Sequence, residues 1–368
     1  MKRAPYALAF LLALPLTFAH AAGPLGERKT ESSTMTGINA SGEWVGEIKD
    51  EDGQRRAIMM SHGRRIEIGT LGGSDSTANA INDQGVVTGG ALTANNAWHA
   101  FRYDEAQGIR DLGTLGGRSS VGTALNQSGH IVGYADIADG SYHAFVNTGS
   151  GMQDLGTLGG KNSYATAINS DGYVVGAAQL PNGYRRAFLY KPGSGMEQLP
   201  TLGGRISVAT GVNDHGVVVG ASEIANGEWH AFMYENGRII DLGARIAHGS
   251  SYANGINSHG DIVGTVKWKD HDPNTFIYKK GQMWVRSVYT SLYLTRDITE
   301  EGKIIGSAYT GHLLKSGAID SAPKPHGFTL TDWLTFGLLA VIAGVAGFRM
   351  RKRIRAGLDF GSRMLSLA

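Results

Sequence analysis

The sequence predicts an all-β protein: a seven-bladed β-propeller built from repeats of about 44 residues, with an N-terminal signal peptide and a C-terminal transmembrane helix. One observation is a recurring motif, Asp-Leu-Gly-Thr-Leu-Gly-Gly, at residues 111–117 and again at 154–160. Diverged copies at 67–73 and 198–204 place its leucines 43 or 44 residues apart. The second observation is that each repeat contains four short strand patterns, and turn signals mark seven repeats.

Each repeat opens with a short strand that ends at a four-residue turn, with asparagine first and glycine fourth. That order favours a type I turn, because the Asn side chain accepts a hydrogen bond from the backbone two residues on. The turns begin at Asn39, Asn82, Asn126, Asn169, Asn213 and Asn257, and a seventh begins at Thr299. A β-branched run ending in glycine follows each turn, so we predict a hairpin between the two strands.

The third strand carries a His-Ala-Phe triplet, at 99–101, 143–145 and 230–232, with weaker versions at 187–188, 275–276 and 312–314. Side chains alternate between the faces of a strand, so we expect Phe101, Phe145, Phe188 and Phe232 to be buried between sheets. The fourth strand leads into Thr-Leu-Gly-Gly, where the leucine is expected to fill the space between units and both glycines to have positive φ. A parallel β-helix is the main rival, but its coils are shorter and contain fewer turns.

With both motifs in fixed order, residues 36–317 resemble the HAF-repeat family of bacterial proteins, whose members are expected to be extracellular. The resemblance implies export and a repeat fold, and it implies no defined biochemical activity. This chain departs from the family pattern in four triplets. Arg56, Arg186 and Asn274 stand where histidine is expected, and Leu314 stands where phenylalanine is expected.

The opening strand of the first repeat, residues 35–38, suggests how the repeats close into a ring. If each blade begins at the glycine-bounded run and ends with the next opening strand, the seventh blade lacks its outer strand. Residues 35–38 are then the one opening strand left over. We therefore predict that they pair with residues 303–320, because closure removes exposed strand edges.

The two ends of the chain predict its topology. Residues 1–21 read as a signal peptide cleaved before Ala22, the propeller occupies 22–320, and a linker occupies 321–329. Residues 330–350 read as a transmembrane helix and 351–368 as a basic cytoplasmic tail. The alternatives are an uncleaved N-terminal helix, a soluble C-terminal core helix, and a bacterial sorting tail, whose motif position holds only Pro323-Lys324-Pro325.

Charge and cysteine content narrow the function classes. The net charge is +2, and subtracting +2 at residues 2–3 and +5 at residues 349–363 leaves −5 for the body. A mildly acidic body lacks the basic footprint that nucleic-acid binding needs, so we expect no nucleic-acid partner. Cysteine is absent, which excludes disulfides and thiol nucleophiles. No motif for a nucleotide, a hydrolase elbow or a catalytic zinc site appears, so no cofactor is predicted.

Histidines and acids recur with the repeat and are expected to be structural. Each histidine of the set should hydrogen-bond within its own blade, because equivalent positions on a ring are too far apart to share one ion. Each acid should accept backbone N–H bonds at a turn. The histidines are His99, His143, His230 and His312, and the acids are Glu67, Asp111, Asp154 and Asp241.

A functional site is expected where the repeat is broken, because a site needs particular residues once. Asp270, His271 and Asp272 interrupt the sixth repeat and are candidate metal ligands, although successive residues do not all point at one ion. Trp268, Trp284, Tyr289 and Tyr293 are candidate ligand-binding residues whose rings would stack on a sugar or peptide. The alternative is that these rings pack the last blades together.

These patterns predict an exported, membrane-anchored repeat propeller that acts as a binding or scaffolding module at the bacterial cell envelope. Its expected partners are the inner membrane, through the C-terminal helix, and a glycan or protein ligand on the blade loops. The alternative is a propeller-type glycan hydrolase or lyase. That alternative requires two or three ionisable residues from different blades to converge at the axis with perturbed pKa values.

Overall fold

A computed structural model describes residues 32–50, 52–246, 249–268, 273–286, 292–310 and 313–320. The chain divides into two compact units, Met1–Ser321 and Ala322–Ala368, and every described residue belongs to the first. The predicted signal peptide, linker, transmembrane helix and basic tail lie outside the described residues. Within the described ranges, no helix is long and apolar enough to cross a membrane.

The described chain is built from antiparallel sheets whose strands follow one another in sequence order. Sheet 1 contains β1 (Ser32–Ile38), β2 (Trp44–Lys49), β3 (Arg55–Ser61) and β4 (Arg64–Glu67). Sheet 2 contains β5 (Gly72–Ile81), β6 (Val87–Thr93), β7 (Trp98–Asp104) and β8 (Gly108–Asp111). Sheet 3 contains β9 (Gly116–Leu125), β10 (Ile131–Ile137), β11 (Tyr142–Asn147) and β12 (Met152–Asp154).

The remaining sheets repeat this plan until the last. Sheet 4 contains β13 (Ser163–Ile168), β14 (Val174–Gln179), β15 (Arg185–Lys191) and β16 (Gly195–Gln198). Sheet 5 contains β17 (Gly203–Val212), β18 (Val218–Ile224), β19 (Trp229–Glu235) and β20 (Arg238–Asp241), followed by a short 3₁₀ helix, Gly243–Arg245. Sheet 6 contains β21 (Ser250–Ile256), β22 (Ile262–Lys267), β23 (Asn274–Lys279) and β24 (Gln282–Arg286). Sheet 7 has three strands, β25 (Leu292–Ile298), β26 (Lys303–Thr310) and β27 (Leu313–Asp320).

The predicted turns join the first two strands of every sheet. In the first, the Gly42 N–H donates to the Asn39 carbonyl at 3.1 Å and the Asn39 N–H donates to the Glu43 carbonyl at 2.9 Å. The seventh turn keeps the same bond, from the Gly302 N–H to the Thr299 carbonyl at 2.9 Å. The prediction of an opening hairpin in each repeat is confirmed.

The predicted closure by residues 35–38 is wrong. These residues belong to β1, which pairs with β2 so that Met35 lies opposite Gly46 and Ile38 opposite Trp44. A four-residue turn holds the two strands together, whereas pairing with residues 303–320 would close a loop of most of the chain at a greater entropic cost. Each sheet therefore begins at its own opening strand. Residues of β1 do contact β26 of sheet 7.

Phenylalanine on the third strand and glycine on the second strand form the core of each middle sheet. Phe145 lies opposite Gly133, and a Cβ atom on Gly133 would come within 1.9 Å of the Val121 carbonyl oxygen and 3.0 Å of the Phe145 ring. Only glycine fits there, which is why the β-branched run ends in glycine. The rings of Phe101, Phe145, Phe188, Phe232 and Phe276 are all 0% exposed, so their predicted burial is confirmed.

The outer repeats depart from this pattern. Ile58 takes the phenylalanine position in sheet 1, opposite Gly46. In sheet 7 the residue opposite Gly306 is Gly317, so the equivalent of the triplet is 315–317. The predicted triplet at 312–314 is therefore wrong by three residues: Leu313 and Leu314 begin β27, opposite Thr310 and Tyr309, and His312 lies outside the described residues.

Apolar clusters lie between consecutive sheets. One joins Val132 and Leu155 of sheet 3 to Phe188 of sheet 4. Others join sheets 1 and 2, 2 and 3, 4 and 5, 5 and 6, and 6 and 7. This face-to-face packing is what a repeat with two apolar faces requires.

The Thr-Leu-Gly-Gly segments behave partly as predicted. Leu115 and its equivalents are half-buried against the clusters between sheets. Only the first glycine of each pair has positive φ, as at Gly116 with φ 99°. The second is needed for space, because a Cβ atom on Gly117 would lie 2.5 Å from the Asp136 Cβ atom.

A chain of buried asparagine side chains, the asparagine relay, links the turns of neighbouring sheets. Each Nδ2 donates to the backbone carbonyl of the first turn residue in the next sheet, at 2.9–3.1 Å. The donors are Asn39, Asn82, Asn126, Asn169, Asn213 and Asn257, and the last acceptor is the carbonyl of Thr299. Each Oδ1 also accepts a backbone N–H of its own turn, for example Val86 N–H to Asn82 at 3.0 Å. One side chain therefore fixes both the turn and the position of the next sheet.

Strand direction sorts the connections into two ends. The asparagine turns and the connections between third and fourth strands lie at one end of the sheets, here called the turn end. The connections between second and third strands, and those between sheets, lie at the other, here called the loop end. Conserved geometry at the turn end leaves the loop end as the place where the repeats differ.

Candidate functional site

The recurring histidines pair with the recurring acids inside each sheet. His99 Nδ1 lies 2.8 Å from an Asp111 carboxylate oxygen, and the same contact joins His143 to Asp154 and His230 to Asp241. Each aspartate also accepts a backbone N–H of the following turn, as from Gly113 to Asp111 at 2.7 Å. Both expectations, a histidine bond within the blade and a turn-capping acid, are confirmed for these three sheets. Their mutual pairing was not predicted.

A substitution pattern inside the chain supports a structural role for the pair. The residue that lies opposite the triplet phenylalanine on the fourth strand is aspartate in sheets 2, 3 and 5, where histidine is present. It is Gln198 in sheet 4, where Arg186 replaces histidine, and Val285 in sheet 6, where Asn274 does. Histidine and aspartate therefore occur together in these five sheets, whereas sheet 1 keeps an acid, Glu67, opposite Ile58 although Arg56 replaces histidine.

A buried serine couples each triplet to the next sheet. Ser120 Oγ accepts the Ala100 N–H at 2.8 Å and donates to the Gly113 carbonyl. Ser76, Ser163, Ser207 and Ser251 accept the equivalent alanine N–H from the preceding sheet at 2.8–3.0 Å. This serine contact was not predicted, although the serines recur with the repeat and their spacing indicates a shared structural role.

The residue immediately before the triplet position breaks the repeat at the loop end. It is Arg55, Trp98, Tyr142, Arg185 and Trp229 in sheets 1 to 5, and these five residues are here called the crown. All five are half-buried or exposed, and neighbours touch across sheets. The Arg55 guanidinium lies 5.4 Å from the Trp98 ring centroid, and an Arg185 N–H donates to the Tyr142 hydroxyl at 3.1 Å.

Two crown residues, Tyr142 and Arg185, form a tyrosine–arginine cluster with Tyr134 and Tyr164. The Tyr134 and Tyr142 rings meet edge to face with centroids 5.8 Å apart. The Arg185 guanidinium lies 5.9 Å from the centroid of the Tyr164 ring. Burial raises the pKa of Tyr164 to about 12, despite the opposing Arg185 charge, and burial also raises the pKa of Tyr134. The phenols therefore stay protonated.

Two further contacts extend the aromatic surface at the loop end. Trp229 stacks on Tyr252 of sheet 6 with centroids 6.0 Å apart. Arg205 donates to the Tyr184 hydroxyl at 3.0 Å and lies 5.6 Å from that ring's centroid. Partly exposed rings of this kind are the groups that most often anchor a ligand.

The residues predicted as sites are only partly described. Trp268 is half-buried and packs against the cluster between sheets 5 and 6, whereas Trp284 is 39% exposed on the outer strand β24. Tyr289 lies outside the described residues, and for Tyr293 only its place in β25 is described. The metal candidates Asp270, His271 and Asp272 also lie outside them, and the described ranges contain no group of three or more metal-ligating side chains. Both site predictions stay predictions.

The first strands of neighbouring sheets contact one another and are here called the innermost strands. One ionisable group on such a strand differs from its equivalents. Asp297 occupies the position held by Gly37, Ala80, Ala124, Ala167, Gly211 and Gly255 in the other sheets. Its carboxylate reaches solvent but is surrounded by protein, and this desolvation raises its pKa from 3.8 to about 6. The backbone N–H of Ile298 donates to it at 2.8 Å and partly opposes that shift.

Successive four-stranded antiparallel sheets, packed face to face in chain order, define the chain as a β-propeller protein. No protein-family model and no curated protein matches it. A solved chain from a study of two prolyl endopeptidases is similar over 72% of this chain, with a TM-score of 0.53 and 11% identity. A puromycin-hydrolyzing peptidase of Mycobacterium tuberculosis is similar over 84%, with a TM-score of 0.51 and 11% identity.

The β-propeller domain of the Trilobed protease from Pyrococcus furiosus is also similar, over 79% of this chain, with a TM-score of 0.48 and 11% identity. This chain spans 94% of that domain, but only 43% of the prolyl endopeptidase chain and 54% of the puromycin-hydrolyzing peptidase. At these identities the similarity shows the fold alone.

Proposed function

We propose that this chain is an exported, membrane-anchored propeller of seven blades that acts as a binding or scaffolding module at the bacterial cell envelope. The leader pattern at 1–21 and the apolar span with its basic tail at 330–368 support export and anchoring in the inner membrane. The HAF-repeat resemblance supports the same location. Seven strand groups and the contact between β1 and β26 support a closed ring.

The crown is the observation that carries a binding role. Packing fixes alanine and phenylalanine in the triplet, yet the residue before it is a different large side chain in neighbouring sheets. These side chains cover the ends of the sheets at the loop end rather than the cores between them. Large aromatic and arginine side chains that packing does not specify are typical of a ligand surface.

The binding role is tested with the full chain in lipid nanodiscs on glycan and peptide arrays. We expect Trp98→Ala and Trp229→Ala to remove the signal of the wild-type protein, because each truncates a ring of the crown. Tyr173→Ala at the turn end is the matched control and should leave binding unchanged. Thermal unfolding of each variant separates lost binding from lost fold. Crown variants that fold and bind like wild type would refute the proposal.

The topology is tested separately by adding protease to spheroplasts. We expect the repeats to be digested and the C-terminal tail to be protected. Protected repeats with a digested tail would show the opposite orientation.

Asp297 is the specific observation that favours the alternative, a propeller-type glycan hydrolase or lyase. A carboxyl with a pKa raised to about 6 on an innermost strand suits general acid–base chemistry. The test is the release of new reducing or unsaturated ends from glycans incubated with the protein. Turnover that Asp297→Asn abolishes would support the enzyme, and no turnover by the wild-type protein would reject it.

A further inference from the structure

We propose that the tyrosine–arginine cluster is a carboxylate-binding subsite and that its ligand is an acidic glycan, one with uronic acid units. This inference rests on the proposed binding role of the crown and names its ligand class. The cluster joins sheets 3 and 4 at the loop end, and its four side chains are not repeated together in any other described pair of sheets.

The Arg185 guanidinium differs from those of Arg55 and Arg56 in its distance to the nearest carboxylate. These two other arginines, in or next to the crown, have an acid close by: Arg55 lies 3.7 Å from Asp75, and Arg56 lies 3.4 Å from Asp50. Among the described residues, no carboxylate lies within 4.0 Å of the Arg185 guanidinium. Asp136, opposite Tyr142 on the neighbouring strand, instead accepts the Ser119 N–H at 3.0 Å. The Arg185 charge is therefore not neutralised within its surroundings.

Two contacts hold the guanidinium. It lies over the Tyr164 ring, 5.9 Å from the centroid, and its bond to the Tyr142 hydroxyl uses one of its five N–H groups. Burial raises the pKa of the Tyr134 and Tyr164 phenols, so these two groups add hydrogen-bonding capacity without adding negative charge. A planar guanidinium with free donors is the group that recognises a carboxylate through two parallel hydrogen bonds.

The position of the cluster favours a glycan over a peptide. One common mode of peptide recognition adds a strand to a sheet edge, and Tyr142, Tyr164 and Arg185 lie at strand ends, where no edge is offered. It presents aromatic rings and hydroxyl groups beside the guanidinium, which match the apolar face, hydroxyls and carboxylate of a uronic acid ring. Further crown residues continue on both sides and would contact successive sugar units.

The test measures binding of a galacturonic acid oligomer, the matching galactose oligomer and a polyglutamate peptide to the full chain in nanodiscs by calorimetry. We expect the acidic oligomer to bind about tenfold or more tightly than the neutral one, and its binding to weaken as salt is added. Arg185→Gln should abolish this preference, so that the acidic and the neutral oligomer bind with equal affinity. Arg185→Lys should restore part of it, because lysine keeps the charge but loses the planar fork.

Arg110→Gln is the matched control, since Arg110 lies on β8, outside the crown, and already has Asp104 at 3.2 Å. It should change affinity for the acidic oligomer by less than about twofold. Absent binding of the acidic oligomer, or equal effects of Arg185→Gln and Arg110→Gln, would overturn the inference. Tighter binding of polyglutamate would make the ligand an acidic peptide. If the wild-type protein binds another ligand on the arrays and crown variants lose that binding, only this inference fails. If crown variants bind like the wild-type protein, the proposed function itself fails.

Discussion

Replacing Asn126 measures how much the asparagine relay contributes to stability. Its side chain is 6% exposed, donates to the Asn169 carbonyl at 2.9 Å and accepts the His130 N–H at 3.0 Å. Asn126→Ala leaves that N–H without its partner, at a cost of about 1–2 kcal/mol. The Asn169 carbonyl keeps the Gly172 N–H, so losing the contact between sheets costs about 1 kcal/mol more. We expect a total loss of about 2–3 kcal/mol.

Asn126→Asp separates the two roles of the side chain. Aspartate still accepts the His130 N–H, but it has no N–H to donate and brings a buried negative charge against the Asn169 carbonyl. If the link between sheets matters, Asn126→Asp is at least as destabilising as Asn126→Ala. Ser128→Ala, at an exposed position of the same turn, is the control and should change stability by less than about 0.5 kcal/mol.

The assay is urea-induced unfolding of the full chain in mild detergent, followed by tryptophan fluorescence. An Asn126→Asp protein as stable as wild type would show that the side chain serves only its own turn. The relay would then be a by-product of turn geometry.

Two further perturbations test the core and the innermost strands. Phe188→Ala removes a fully buried ring between sheets 3 and 4 and should cost about 3–5 kcal/mol in the same unfolding assay; a loss below about 1 kcal/mol would contradict the packing described. Asp297 has a pKa raised from 3.8 to about 6 in the folded state, so the folded protein holds this proton more tightly than the unfolded chain does. Its contribution to stability is therefore complete below about pH 4 and lost as pH rises through about 6. Asn at position 297 removes that loss, so Asp297→Asn should melt at a higher temperature than wild type at pH 7 and no higher at pH 4; identical pH profiles would refute the raised pKa of this carboxyl.

Most of the fold could be predicted from the repeat period of the sequence. Asparagine turns, buried phenylalanines and a structural role for the histidines followed from residues that recur at fixed spacing. The same reasoning reached the wrong closure, because strand order alone does not say whether an opening strand pairs backward or forward. The structure shows that the local turn at Asn39 decides this.

Contacts across the sheets were harder to predict. His99 and Asp111 were each assigned to hydrogen bonding, but their pairing depends on the register between the third and fourth strands. The tyrosine–arginine cluster was missed for another reason. Tyr134 and Arg185 lie in different repeats, at positions whose residue type varies from one repeat to the next. The repeat period therefore does not predict that they lie close together.

The asparagine relay runs in one direction, and this has a consequence for how such chains change in evolution. In every internal unit, the first turn residue accepts one hydrogen bond from the preceding unit through its carbonyl and donates one to the next unit through its side-chain amide. Each internal unit therefore makes the same pair of hydrogen bonds to its neighbours. A whole unit can therefore be duplicated or deleted without a new junction having to arise. The two ends of the relay are particular: among the described residues it begins with the Asn39 amide as donor, and it ends on the Thr299 carbonyl, beside a side chain that has no amide to donate. The coupling between neighbouring units therefore does not depend on how many units there are.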